Sequence, residues 1–111
     1  APHSPFIMDE AYSDPYVDQV ETRDRADFYG MITKIDENFG VLVQKLDEWG
    51  LSDNTILIFM TDNGTAAGAT LDADQFVVGG YNAGMRGIKG SPYDGGHRVR
   101  YFENNPAEPL L

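Results

Sequence analysis

A run of aliphatic residues that stops abruptly at an acid, an amide and a glycine, NTILIFMTDNG over residues 54–64, constrains this chain more than any other stretch. Residues 55–60 are β-branched or apolar almost throughout. That composition suits a strand buried on both faces, and such strands belong mainly to parallel sheets covered by helices. Asp62 and Asn63 then fall at the carboxyl end of the strand. In open α/β sheets ligands bind at that edge, so a carboxylate and an amide delivered there are candidate oxygen ligands for a hard divalent cation. The competing reading is a hairpin, because Asn-Gly is a strong two-residue turn signal. A hairpin needs a second alternating strand after Gly64, and TAAGATLDAD does not alternate. Asn63-Gly64-Thr65 also spells a glycosylation acceptor, a pattern short enough to occur often by chance.

The clearest periodicity lies just upstream. Phe28, Ile32, Ile35, Phe39, Leu42, Leu46 and Trp49 recur in alternating steps of four and three, which predicts a helix over 24–50 with one apolar stripe. Asp24 is the expected cap and Gly50 the expected stop. Gly30 and Gly40 each weaken such a helix by about 1 kcal/mol relative to alanine, so burial of the stripe has to hold it together. The spacing would also suit a coiled-coil seam, which calls for more heptads and oppositely charged flanks. Asp36, Glu37, Asp47 and Glu48 read as a solvated outer face. A helix, a tight link and a buried strand form half of a βαβ unit. The parallel strand that should precede the helix is not in the sequence, and the chain opens on Ala1-Pro2-His3 without methionine, so it reads as a segment of something longer.

The flanks are less regular. Residues 1–23 hold prolines at 2, 5 and 15, which predicts an extended segment. His3 is its only side chain able to exchange protons near neutral pH; a bystander at a chain end is the alternative. Residues 64–98 contain nine of the twelve glycines and no convincing element, a loop long enough to suggest a functional role. Within it RGIKGSPYDGGHRVR gathers Arg86, Lys89, His97, Arg98 and Arg100 around one acid, Asp94. Glycines admit close approach of a ligand and the cations favour an anionic one, against the alternative of a solvated basic loop. Neither a P-loop nor an EF-hand fits: no GxxxxGK precedes Ser or Thr, and Phe76 stands where LDADQFVVGG would need an oxygen ligand. Residues 99–111 read as a short strand and a tail.

Charge and composition narrow the partners. The net charge is −10, and residues 1–75 carry fifteen acids against four bases, while 76–111 carry three against four. Such a balance argues against nucleic acid as a partner. Without cysteine there is no disulfide framework, thiolate metal site or cysteine nucleophile. No apolar run approaches the roughly 20 residues of a membrane span. One long amphipathic helix and a lone strand leave apolar surface that a chain of 111 residues covers poorly, so self-association is one expectation.

With those residues in view, the chain resembles the sulfatase family of the alkaline-phosphatase-like superfamily. Three motifs in order carry the resemblance: APHSPF, the pairing of FYGMITKIDENFG with TILIFMTDNG, and GIKGSPYDGGHRV. It implies an α/β fold, part of a parallel-sheet sandwich of the alkaline-phosphatase-like kind, with a long helix, a buried strand and a Gly-rich loop. It implies hydrolysis of sulfate monoesters, on a small molecule or a sulfated glycan, with a divalent metal, usually calcium. Asp62 and Asn63 match the family's second pair of metal ligands. Lys89 matches the lysine that contacts sulfate, and His3 the histidine that contacts it or protonates the leaving oxygen. His97 lies in the glycine-glycine element, in a supporting role toward substrate.

The family's nucleophile is a formylglycine made from Cys or Ser in a Cys/Ser-x-Pro-x-Arg motif, and no such motif occurs here. Its first metal-binding aspartates would lie upstream of Ala1. The chain by itself is therefore expected to be inactive. Arg100 stands where the family commonly has proline, and the sequence after Phe102 does not match. Periplasmic or secreted placement follows from the resemblance alone. A phosphoesterase or phosphonate hydrolase of the same superfamily is the nearest rival, and a non-catalytic acidic module binding a metal or a protein is the rival from another class.

Overall fold

The computed structural model describes residues 2–66, 69–99 and 101–104, and these divide into two compact units, 1–54 and 55–111. In the first, α1 (Glu10–Ser13) runs into a 3-10 helix (Asp14–Gln19), followed by α2 (Arg23–Glu48) and a 3-10 turn (Ser52–Asn54). In the second lie β1 (Leu57–Met60), β2 (Thr70–Leu71), β3 (Val77–Gly79), α3 (Asp94–His97) and β4 (Tyr101–Asn104). No described helix is long and apolar enough to cross a membrane.

The expectation of an extended segment over 1–23 fails for residues 10–19. Pro15 sits in the first turn of the 3-10 helix, where its missing N–H would have had no partner and its fixed φ suits helix entry. Asp9 caps α1 by accepting from the Ala11 amide at 2.9 Å. These short turns clasp the first half of α2. Phe6 meets Phe28 edge-on at 5.9 Å, the Tyr16 hydroxyl lies 2.6 Å from Thr33 Oγ1, and Arg23 pairs with Asp14 at 3.0 Å and Asp27 at 3.1 Å. Lys34 Nζ donates to Tyr12 Oη at 2.7 Å and to Glu37 Oε2 at 2.8 Å, and the Tyr12 hydroxyl donates to the same carboxylate at 2.6 Å. The bond from Lys34, and then that from Tyr12, hold the Glu37 carboxyl below its usual range, while the bond to Glu37 raises the Lys34 ammonium. The lowered acid contributes stability above its unfolded pKa and loses it as pH falls through the folded one. The raised lysine loses its share only at strongly alkaline pH, so the clasp stays charged through neutrality.

The α2 helix starts one residue before its expected position. Thr22, rather than Asp24, is the cap, its hydroxyl accepting from the Arg25 amide at 3.3 Å; Asp24 instead places a negative charge in the first turn, where the helix dipole favours it. The stop is Gly50 at φ +65°, with the Gly50 amide bonded to the Asp47 carbonyl at 2.9 Å and the Leu51 amide to the Leu46 carbonyl at 2.9 Å. That pair of bonds is the Schellman arrangement, in which a left-handed residue satisfies the last carbonyls.

The apolar stripe is not the buried face. Ala26 and Asp27 are buried, whereas Ile32 is 43%, Leu42 44% and Trp49 65% exposed. The reason is local: α1 and the first 3-10 helix reach α2 through Tyr29, Thr33, Lys34 and Glu37, and among the described residues the 3-10 turn is the other element of this unit packed against it.

The two helix glycines are accordingly unequal. A methyl group on Gly30 would stand 3.0–3.1 Å from the Tyr12 and Ser13 backbone and Met8 Cγ, whereas one on Gly40 would meet nothing within 4 Å. Gly40→Ala is expected to stabilise the chain by about 0.5–1 kcal/mol through helix propensity. Gly30→Ala is expected to gain nothing or to destabilise, because α1 would have to back away. Paired urea titrations check both, and equal shifts for the two variants would contradict the close approach of α1.

In the second unit β1 pairs with β4, and among the described residues it has no parallel neighbour. The pairing is antiparallel, Leu57 facing Asn104 and Met60 facing Tyr101. Nor is the strand buried on both faces: Ile58 is 52% and Met60 57% exposed, alternating with half-buried Leu57 and Phe59. No described helix of this unit exceeds four residues, so nothing within it can cover the sheet's second face.

The stretch 64–98 is more ordered than a loop. β2 and β3 form an antiparallel hairpin. Asp72 shapes its turn, Oδ1 accepting from the Asp74 amide at 3.0 Å and the Phe76 amide at 2.8 Å, with Gln75 at φ 69°. This Asx-type turn lets a side chain imitate a backbone turn. Asn63-Gly64 does not make a hairpin with β1, since β2 pairs with β3. Arg100 and residues 105–111, on which part of the expected strand and tail fell, lie outside the described residues.

Candidate functional site

The residues after β1 form a corner that is fastened by its backbone to the Gly-rich segment. The Gly64 amide donates to the Gly96 carbonyl at 3.1 Å, and the Lys89 amide donates to the Thr65 carbonyl at 2.6 Å. Each contact depends on bare backbone. A methyl group on Gly64 would overlap the Gly95 carbonyl oxygen and come within 2.8 Å of its carbon. Gly95 is packed as tightly, a methyl there overlapping the Gly87 carbonyl oxygen and lying 2.7 Å from that of Arg86. Only glycine permits two backbones to approach so closely.

Asn82 organises the segment from inside. It is buried, and its Nδ2 donates to the Met85 carbonyl at 2.6 Å and the Gly87 carbonyl at 3.1 Å. The Gly95 amide donates to the Arg86 carbonyl at 2.8 Å, the Gly96 amide to that of Tyr93 at 2.9 Å, and the Arg98 amide to that of Asp94 at 2.8 Å. Sequence reasoning missed Asn82, and its only signal is a lone amide in a glycine-rich run, NAGMRG.

The expected site residues are distributed as follows. Asp62 is exposed and its carboxylate has no hydrogen bond or ion pair among the described residues. Asn63 is half-buried, its Nδ2 engaged with the Gly64 carbonyl at 2.9 Å, which leaves its amide oxygen as the group available to a cation. Lys89 is exposed, and its ammonium has no partner among the described residues. His97 follows Gly96 directly; its Nε2 lies 3.9 Å from Asp94 Oδ1, with Arg98 3.7 Å from the other carboxylate oxygen. Asp62, Asn63, Lys89 and His97 are therefore all within a few residues of the Gly64–Gly96 and Thr65–Lys89 bonds. His3 belongs to the first unit, where it is exposed and its Nδ1 lies 2.8 Å from the Ser4 carbonyl.

The cluster of cations at 86–100 resolves into unlike parts. Arg86 is structural: Nε donates to the Asp74 carbonyl at 2.8 Å, and the guanidinium lies 4.0 Å from the centre of the Tyr93 ring, a cation–π contact. His97 and Arg98 lean on Asp94, which leaves Lys89 as the uncommitted cation among the described residues. A carboxylate and an amide oxygen are the hard donors that calcium or magnesium takes, so Asp62 and Asn63 fit such an ion. Among the described residues no three His, Cys, Asp or Glu side chains cluster as a complete site, so these two could provide only a share of the coordination such an ion needs.

Comparisons with known proteins bear on the family. A family model described as Sulfatase matches residues 1–106. The chain is 34% identical over 88 residues to an arylsulfatase of Clostridium perfringens, covering 79% of this chain and 15% of that protein. It is 29% identical over 106 residues to arylsulfatase J of Mus musculus, covering 96% of this chain and 16% of that protein. The crystal structure of Ps i-CgsB in complex with k-i-k-neocarrahexaose superposes with a TM-score of 0.79 at 29% identity, over 96% of this chain and 21% of that one. The chain thus spans about a sixth of the length of the relatives it matches. With that family model matching nearly the whole chain, the chain belongs to the sulfatase family of hydrolases, with its alkaline-phosphatase-like fold.

Proposed function

We propose that this chain carries the anion-recognition part of a sulfuric ester hydrolase acting on sulfated glycans. In this reading Asp62 and Asn63 hold a divalent cation of the calcium class, Lys89 contacts the sulfate group, and His3 contacts it or protonates the leaving oxygen. His97 supports the same corner. The observation that carries the reading is the double fastening at Thr65 and Gly64, which sets the Lys89 backbone against the residue three places after Asp62. The oligosaccharide bound by the structural neighbour supports a glycan as the substrate class.

The chemistry follows from charge. A sulfate monoester is anionic, and its charge must be offset before a nucleophile can approach sulfur. The ammonium of Lys89 does this as a point charge and stabilises negative charge building on oxygen in the transition state. A bound divalent cation would supply Lewis-acid polarisation of the same group. The imidazole of His3 has the proton affinity to protonate a departing alcohol near neutral pH.

A nucleophile is not expected from this chain. Ser13-Asp14-Pro15 opens the family's Ser-x-Pro-x-Arg pattern, but Val17 stands at the arginine position and Ser13 is fully buried. The formylglycine of a complete sulfatase is therefore proposed to lie outside these 111 residues. A periplasmic or secreted location belongs to the same proposal, and recovery of the protein only from the cytosolic fraction would remove it. Self-association through the exposed apolar faces of α2 and β1 is proposed for the isolated chain; a concentration-independent monomer by light scattering would exclude it.

Metal binding is the direct test. Terbium luminescence, sensitised by the chain's aromatic residues and displaced by calcium, should report the site. Asp62→Ala is expected to weaken calcium at least about tenfold, since affinity follows the charge of the oxygen ligands. An unaltered titration in the variant would remove the ligand assignment. The same preparation should give no turnover of p-nitrophenyl sulfate, and robust hydrolysis by it would refute the assignment of the nucleophile elsewhere.

A further inference from the structure

We propose that Tyr81 is a stacking platform for the sugar ring that bears the sulfate, a specificity-determining residue at the rim of the Asp62–Lys89 corner. The inference rests on the sulfated-glycan reading above. Tyr81 is 68% exposed, and neither its ring nor its hydroxyl has a partner among the described residues. Its backbone, in contrast, is pinned. The Tyr81 carbonyl accepts from Thr65 Oγ1 at 2.9 Å, and the next residue is the buried Asn82 with its two carbonyl contacts.

Thr65 is thus a joint with two arms. Its carbonyl receives the Lys89 amide and its hydroxyl holds the Tyr81 carbonyl, so one residue beside the Asp62–Asn63 pair fixes the backbones of both a free cation and a free aromatic. The two side chains answer to different parts of one ligand. Sulfate needs positive charge and hydrogen-bond donors, whereas the ring that carries it offers a flat apolar face of C–H groups edged with hydroxyls. An amphipathic aromatic ring complements that face. A tyrosine on an anchored backbone has two side-chain torsions left to order, so stacking costs little conformational entropy.

The test is a calorimetric titration of the 111-residue chain with two probes, k-i-k-neocarrahexaose and inorganic sulfate. Tyr81→Ala is expected to weaken the hexasaccharide about tenfold and leave inorganic sulfate unchanged, whereas Tyr81→Phe and Tyr81→Trp should stay within about twofold of the parent. Lys89→Ala should weaken both probes. A Tyr81→Ala chain that binds the hexasaccharide as tightly as the parent would overturn the proposal. So would a Tyr81→Phe chain as weak as Tyr81→Ala, or a parent chain that does not bind the hexasaccharide at all. If Lys89→Ala leaves inorganic sulfate binding intact while Tyr81→Ala still weakens the hexasaccharide, the anion-site reading falls and the stacking role stands.

Discussion

Replacing Gly64 by alanine is expected to unfold the second unit while leaving α2 in place. The new methyl group would overlap the Gly95 carbonyl oxygen and approach its carbon within 2.8 Å, and the Gly96 carbonyl carbon within 3.3 Å. Both sides of the clash are backbone, so no rotamer change relieves it. Overpacking of flexible side chains costs about 1–3 kcal/mol, and a clash between fixed backbones belongs at or above the top of that range. The Gly64–Gly96 hydrogen bond would be lost with it. Hydrogen exchange should show protection falling at the amides of Lys89, Gly95 and Gly96, with the helical circular dichroism of α2 retained. Gly84→Ala separates overlap from backbone strain: Gly84 has φ +71° and nothing within 4 Å of an added methyl, so only the left-handed conformation is penalised, at about 1 kcal/mol. Equal melting temperatures for Gly64→Ala and the parent chain would show that the corner and the glycine pair are not locked together.

What could be read ahead of the structure was whatever local periodicity and turn chemistry dictate. The end of α2 at Gly50 is such a feature, because a left-handed residue after the last apolar position closes a helix whatever surrounds it. So is the existence of β1, whose β-branched run suits little else. The start of α2 was misplaced because Thr22 and Asp24 are both capping types, and only the bond to the Arg25 amide chooses between them. The helical turns at 10–19 were hidden by the prolines, which exclude helix interiors and not first turns. The hairpin of β2 and β3 was hidden by its brevity, its turn being made by the Asp72 side chain rather than by a glycine pair.

At the site the same division holds. Asp62 and Asn63 could be put forward as ligands from residue type alone, whereas Lys89 is one of five cations in its stretch and only the family resemblance singles it out. What brings their backbones near each other, the contact of Gly64 with Gly95 and Gly96, has no side-chain signature: it consists of missing atoms. Arg86 shows the opposite error. Counted as one of several cations awaiting an anion, it is instead spent on the Tyr93 ring and the Asp74 carbonyl, a use that charge counting cannot reveal.

Asn82→Asp is the second substitution with a large expected effect, and it tests whether that packed segment is held from within. The change is almost isosteric, so it isolates hydrogen bonding from volume. Asn82 Nδ2 supplies the donors to the Met85 and Gly87 carbonyls, and a carboxylate would present lone pairs to both. Leaving buried acceptors unpaired costs about 1–3 kcal/mol each, and a buried charge facing carbonyl oxygens adds to it, so a loss of about 3 kcal/mol or more is expected at neutral pH. The sign of the pH dependence follows from linkage. Burial and the facing carbonyls favour the protonated form, which raises the folded pKa of the introduced carboxyl above its unfolded value. The deficit should therefore shrink as pH falls, since the acid regains one O–H donor, and grow as pH rises through the folded pKa. Asn82→Leu removes the donors without adding a charge, so its deficit against the parent chain should show no such pH dependence. Urea titrations of the three proteins at several pH values measure this directly. A constant difference between Asn82→Asp and Asn82→Leu across pH would mean that the side chain at 82 does not face those carbonyls. The segment from Met85 to Gly96 would then have to be held by its glycine contacts alone.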